Sequence, residues 1–259
     1  VVQGRNYGAL IAEIRLTIDP QSHNVVRTSA VLHPVRQPRY APDPAVQAYM
    51  TGLEQATDAI RQRLIVELAE PLSRRPDAVS HNDSPLGTVV NDAQLALARD
   101  QGVADLALTN AGGVRADLPA RVTHGATYAA QPFGNDILVV SLSGGELLDV
   151  LAQQWRSDPA HPVLLQSSSN LAYRWRVSGD PAERIVDLRL DGQPIVADKI
   201  YRVVINGFLA DGGDGFSVFK LGRERQVVGQ DLDALETYLR THADKLNFHS
   251  QGRVSRLDD

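Results

Sequence analysis

Apolar and polar positions recur with two periods along this chain, and the periods divide it into strands and helices. Ile14, Leu16 and Ile18 alternate with polar neighbours, as a half-buried strand requires, after a shorter stretch from Tyr7 to Ile11. Asp19-Pro20 and Ser22 to Asn24 signal a turn, and Val25 to Leu32 reads as the partner strand of a hairpin. Prolines at 34, 38, 42 and 44 then suit an extended linker. Asp43 and Pro44 open a helix whose apolar positions are Val46, Tyr49, Met50, Leu53, Ala56, Ile60, Leu64 and Leu68.

Further along, Ser84-Pro85 opens a second helix that runs to about Asp100 and is closed by Gly102. The apolar runs Ala104 to Thr109 and Ile137 to Leu142 predict buried strands. Ser143-Gly144-Gly145-Glu146 is a capping box for a helix extending to about Trp155. Alternation over Leu171 to Val177 and Ile185 to Leu190, followed by Asp191-Gly192, predicts a hairpin leading into a strand at Ile200 to Asn206. In that strand Tyr201, Val203 and Ile205 share one face. Asp231 to His242 is a further amphipathic helix. Helices and strands alternate, yet the hairpins demand antiparallel pairs, so the predicted class is α+β: a mixed sheet flanked by helices, with an N-terminal β-hairpin and a long connecting helix.

Composition narrows the function classes. A chain of 259 residues, 43% hydrophobic, can bury a sizeable core. A net charge of −5 argues against a nucleic-acid polymer as partner, because backbone phosphates demand a basic face. A phosphate site on this chain must therefore be locally positive. The chain has no apolar run of membrane-spanning length, and its first residues lack the charged and apolar regions of a signal peptide. It has no cysteine, which neither requires nor excludes an oxidising compartment.

The candidate chemistry lies in three glycine-containing loops. In Asn206-Gly207-Phe208-Leu209-Ala210-Asp211-Gly212-Gly213-Asp214-Gly215-Phe216, glycines allow positive φ and close backbone approach, so Phe208 and Asp214 can face one ligand. A glycine-rich turn with a core phenylalanine is the competing interpretation. Asn110-Ala111-Gly112-Gly113-Val114-Arg115 follows a buried strand and places Asn110 and Arg115 at its carboxyl end, where open α/β sheets bind ligands. Exposed N–H groups of a Gly-Gly turn and a nearby guanidinium suit a phosphate; a salt bridge from Arg115 to Asp117 or another acid is the alternative. Phe133 sits in Gln131-Pro132-Phe133-Gly134-Asn135, where its ring faces a ligand or packs internally.

Together, in this order and spacing, the three segments resemble the C-terminal domain of the 5'-nucleotidase / UDP-sugar hydrolase family, from about Ser84 to about Phe219. The resemblance implies that domain's fold and a nucleotide or nucleoside substrate. It makes Phe133 and Phe208 the rings that sandwich the base and gives the ribose hydroxyls to Asp214. Asn135 becomes a base-edge or nearby polar contact, and Asn110 and Arg115 take the phosphate end. The family commonly carries a further arginine before the segment matched by Ser84-Pro85-Leu86-Gly87. Here Ser80, His81 and Asn82 stand at that place, with Arg74 and Arg75 further back.

In the family, catalysis belongs to two divalent metal ions held by a preceding metallophosphatase domain of the same polypeptide. The histidines at 23, 33, 81, 124, 161, 242 and 249 are scattered, without a pair at ligand spacing. The expectation is a chain with no catalytic and no metal-binding residues, able to bind but not to cleave. Residues 1–33 would then be the last hairpin of the metallophosphatase domain, 34–70 the linker and connecting helix, and 71–259 the substrate-binding domain. A periplasmic or secreted location is implied by the family alone. Two other possibilities stay open: a nucleotide-binding module without hydrolysis, and a hydrolase of cyclic nucleotides, nucleotide sugars or other anionic esters.

Overall fold

A computed structural model describes residues 4, 7–36, 39–76, 83–102, 104–155, 162–176 and 178–257. The chain forms two compact units, Val1–Asp58 and Ala59–Asp259. The first contains β1 (Leu10–Ile18), β2 (Val25–Pro34) and most of α1 (Pro44–Arg61). β1 and β2 pair antiparallel, Leu10 opposite Pro34, so β1 is a single strand rather than two stretches. The Asp19 carboxylate closes the turn, accepting the Gln21 and Ser22 N–H groups at 2.8 Å each. Asp43 caps α1 by accepting the N–H groups of Ala45 and Val46.

In chain order the second unit continues with β3 (Leu64–Glu67), α2 (Pro85–Asp100), β4 (Leu106–Asn110), β5 (Arg121–Thr123), α3 (His124–Ala130), β6 (Asp136–Ser143) and α4 (Gly144–Ala152). Then come β7 (Leu165–Ser167), β8 (Leu171–Trp175), β9 (Ile185–Leu190), β10 (Gln193–Pro194), β11 (Ile200–Asn206), α5 (Gly207–Ala210), β12 (Arg223–Gln230), α6 (Asp231–His242) and β13 (Val254–Arg256).

Helical spacing predicted that the first helix continues to Leu68, and it does not. α1 ends at Arg61, and Leu64 to Glu67 instead pair antiparallel with β5. Leu64-Ile65-Val66 is a short apolar run in which Ile65 and Val66 are β-branched. Pairing buries Ile65 and Leu68 against Leu72, Leu118 and Val122, which outweighs continued helical register.

The main sheet has strand order β12-β6-β11-β4-β7; β11 and β4 are parallel and every other neighbouring pair is antiparallel. Both faces are covered, and the alternation within each strand assigns side chains to them. Leu106, Leu108, Val140, Leu142, Val203 and Ile205 join a core with Leu147, Val150 and Leu151 of α4. Leu171, Tyr173 and Leu188 of the second sheet complete it. Ala107, Ile137, Val139 and Val204 face the other way, against Leu95 and Ala98 of α2 and Ala234 of α6. The second sheet has order β10-β9-β8-β13. The predicted hairpin is β8 with β9, but the turn at Asp191-Gly192 leads first to the two-residue β10, and β11 belongs to the main sheet.

The predicted capping box is present: Ser143 Oγ accepts the Glu146 N–H, and Glu146 Oε2 accepts the Ser143 N–H. Both nitrogens of the Arg223 fork also reach Glu146, at 2.8 and 2.7 Å, and hold its carboxyl down to about 2. Replacing Ser143 with alanine is expected to cost about 1 kcal/mol, read as a lower urea midpoint at unchanged slope. An unmoved midpoint would show that α4 is held by its buried face alone.

Candidate functional site

Topology gathers the three loops. β4 and β11 run parallel and adjacent, so Asn110 and Asn206, their last residues, come together at one edge of the sheet. β6 runs the opposite way, so the loop before it, from 131 to 135, opens at the same edge.

Asn206 is the buried hub of this edge. Its Nδ2 donates to Thr109 Oγ1 at 3.0 Å and to Asn110 Oδ1 at 3.1 Å, and its Oδ1 accepts the Leu209 N–H at 2.9 Å. It thus caps α5 and fixes the Asn110 amide in one orientation. Asn110 Nδ2 in turn donates to Asp214 Oδ2 at 2.9 Å. Asp214 lies in the left-handed region at φ 48°, which aspartate tolerates better than most residues, and Gly212 precedes it at φ 77°. At Gly213 a Cβ would stand 2.4 Å from the Phe208 ring and 2.5 Å from its carbonyl oxygen, so only glycine lets the loop lie against Phe208.

The Arg115 N–H donates to the Ala130 carbonyl at 2.8 Å, tying its loop to the end of α3. Its guanidinium lies 5.9 Å from the centre of the Phe133 ring and donates to the Gly112 carbonyl at 3.3 Å. Asp117, the alternative partner considered for Arg115, accepts the Arg74 N–H at 2.7 Å. The Asn135 carbonyl accepts the Asp231 N–H, and Asn135 Nδ2 donates to Asp231 Oδ2, both at 3.0 Å. Asp231 is buried at the first turn of α6, and its Oδ1 accepts the Leu232 N–H. Burial pushes the Asp231 carboxyl up, and these hydrogen bonds oppose the shift.

These groups line one cleft of about 250 Å³: Asn110, Gly112, Gly113, Arg115, Phe133, Asn135, Asn206, Phe208 and Asp214. All six residues singled out from the sequence are among them. Phe133 and Phe208 stay 56% and 46% exposed, so neither ring is a core residue. Asn206 was legible only as the end of a strand; its place before a glycine loop is the signal that could have marked it. Residues 80–82, at the place of the family's further arginine, lie outside the described residues. Arg74 and Arg75 are not in the cleft lining.

Among the described residues no group of three or more His, Cys, Asp and Glu side chains could hold a metal ion. Three of the described histidines have partners of their own. His33 pairs with Glu13, His124 with Glu236, and His242 stacks on Tyr238 with ring centres 4.2 Å apart. Among the described residues no helix is long and apolar enough to cross a membrane.

Comparison with known proteins places this geometry in a family. Residues 65–221 match the family model "5'-nucleotidase, C-terminal domain". The cell wall protein Lmo0130 of Listeria monocytogenes is 36% identical over 174 residues, which cover 63% of this chain and 22% of that protein. Protein UshA of Escherichia coli is 29% identical over 188 residues, covering 69% of this chain and 32% of UshA. The structure of a 5'-nucleotidase precursor from Thermus thermophilus superposes with a TM-score of 0.76 at 28% identity, covering 100% of this chain and 52% of that one. The chain thus spans about a fifth of the length of Lmo0130 and about half of the Thermus structure. With its three loops assembled on one mixed sheet and the family model matching more than half its length, the chain belongs to the 5'-nucleotidase C-terminal domain family.

Proposed function

We propose that this chain is the substrate-binding part of a two-domain, metal-dependent 5'-nucleotidase, and that it does not hydrolyse its substrate alone. One observation carries this: two half-exposed phenyl rings, a carboxylate held by an amide chain and a guanidinium line one small cleft. Phe133 and Phe208 stack on the nucleobase, which gives affinity without strict choice of base. Asp214, with Oδ2 taken by Asn110, offers Oδ1 to the ribose diol. Arg115, the Gly112 and Gly113 backbone and the second amide N–H of Asn110 face the phosphate end. Cleavage would belong to a metallophosphatase domain of the same polypeptide, holding two divalent ions. This chain's contribution is to fix the substrate's orientation.

The relatives' names support a phosphoester substrate, one being a trifunctional nucleotide phosphoesterase protein of Bacillus subtilis, 24% identical. Lmo0130, named a cell wall protein, supports an exported location. Calorimetric titration of the chain with adenosine and AMP in metal-free buffer tests the proposal. Saturable binding is expected, weakened about tenfold for adenosine by Asp214→Ala, through loss of a charge-assisted hydrogen bond. The variant should also bind adenosine and 2',3'-dideoxyadenosine alike. Unchanged adenosine affinity in the variant would remove the ribose role from Asp214, and no binding of either ligand would defeat the proposal.

A further inference from the structure

We propose that Asp231 locks the side-chain amide of Asn135 so that the cleft presents a hydrogen-bond acceptor to the base. The site then selects nucleobases carrying an amino or ring N–H donor on the edge remote from the sugar. This rests on the nucleoside function proposed above.

Two phenyl rings stack on any base, so discrimination among bases must come from a polar group at the ring's edge. In this cleft most such groups are engaged with one another. The Asn206 amide serves Thr109, Asn110 and Leu209, and the Asn110 amide is set between Asn206 and Asp214. Asn135 is different. It lines the cleft two residues after Phe133, and among the described residues no donor reaches its Oδ1.

Which end of the Asn135 amide faces the cleft follows from its partner. Asp231 is 1% exposed, and both of its carboxylate oxygens accept: Oδ1 from the Leu232 N–H at 2.8 Å, Oδ2 from Asn135 Nδ2 at 3.0 Å. An ionised carboxylate only accepts, so the NH₂ of Asn135 must face it and the carbonyl oxygen must face away. The bond from the Asp231 N–H to the Asn135 carbonyl clamps the two backbones and prevents the side chains from drifting apart. Asp231 touches no ligand; it is a positioning residue for Asn135.

Adenosine and purine riboside provide the test, because they share ring system and sugar and differ only in the exocyclic amine. Titrated into the full chain, adenosine is expected to bind about tenfold more tightly, the worth of one hydrogen bond whose loss leaves an acceptor unmet. In Asp231→Asn, the new side chain must still accept from Leu232, so its NH₂ faces Asn135 and turns that amide over. The affinity ratio should then collapse to about one while adenosine still saturates the site. A general loss of structure would not selectively move this ratio. Should Asp231→Asn fail to fold, Asn135→Ala must abolish the ratio by itself. Equal affinities in the parent chain, or a ratio that survives either substitution, would overturn this inference and leave the nucleoside site standing. If neither nucleoside binds, the functional proposal falls too.

Discussion

Replacing Phe208 with alanine is expected to weaken adenosine binding by roughly 10- to 100-fold and to leave the fold intact. The affinity loss follows from stacking, worth about 1–3 kcal/mol per base on one aromatic ring. The fold survives because the ring is 46% exposed, whereas Leu209 and Ala210, the next two residues, are buried and anchor α5. Asn206 still caps the helix through the Leu209 N–H. Titration calorimetry with adenosine, paired with a thermal melt, separates the two effects. An unchanged affinity would take the stacking role away from Phe208. A large drop in melting temperature would mean that the ring contributes to the core after all.

Glu236→Ala should be the most destabilising single change outside the apolar core, at about 3 kcal/mol, or roughly 6–12 °C in melting temperature. The Glu236 side chain on α6 is 6% exposed and accepts from four donors. These are His124 Nδ1 at 2.6 Å, Arg240 at 2.7 Å, Thr127 Oγ1 at 2.8 Å and Arg63 at 3.3 Å. Arg63 precedes β3, while His124 and Thr127 belong to α3, so one carboxylate ties three parts of the chain together. Its removal leaves two guanidinium groups and an imidazole crowded around a vacated space.

Burial alone would raise the Glu236 carboxyl, but hydrogen bonds from His124 and Thr127 and the charges of His124 and Arg63 outweigh it and hold the carboxyl below its ordinary value. The folded state therefore binds this proton less readily than the unfolded chain. The stabilisation is complete above the ordinary value of 4.5 and is lost as pH falls through the folded one. Urea unfolding from pH 7 to pH 3 should show a steeper acid decline in the parent chain than in Glu236→Gln. Parallel profiles would show that the carboxylate contributes no net charge interaction.

Those four donors illustrate what a linear pattern conceals. His124 was legible only as one of several scattered histidines, because its partner lies 112 positions away. The loops bearing Asn110, Arg115, Phe133, Asn135, Phe208 and Asp214 were legible because glycine, aromatic and charged residues concentrate locally and follow recognisable strands. The capping box at Ser143 and the helix at Asp231–His242 were local for the same reason. β12 and β13 were not read at all. Arg223–Gln230 carries little apolar alternation, since it is an edge strand exposed along most of its length and held by backbone pairing to β6. Leu64 and Leu68 sat at helical spacing by coincidence, and only the pairing with β5 decides against a helix there. The link between Asn135 and Asp231 spans 96 positions and left no trace in either neighbourhood.

The parallel neighbours β4 and β11 carry a consequence for how this protein matures. The hydrogen bond between Asn206 and Asn110 joins residues 96 positions apart, and Asp214 depends on it for its orientation. Helices such as α2 and α6 form from local contacts, whereas this strand pair closes a long loop and belongs to the slow class of folding events. The cleft is therefore expected to assemble with the closure of β4 on β11 and not with the bulk of the secondary structure.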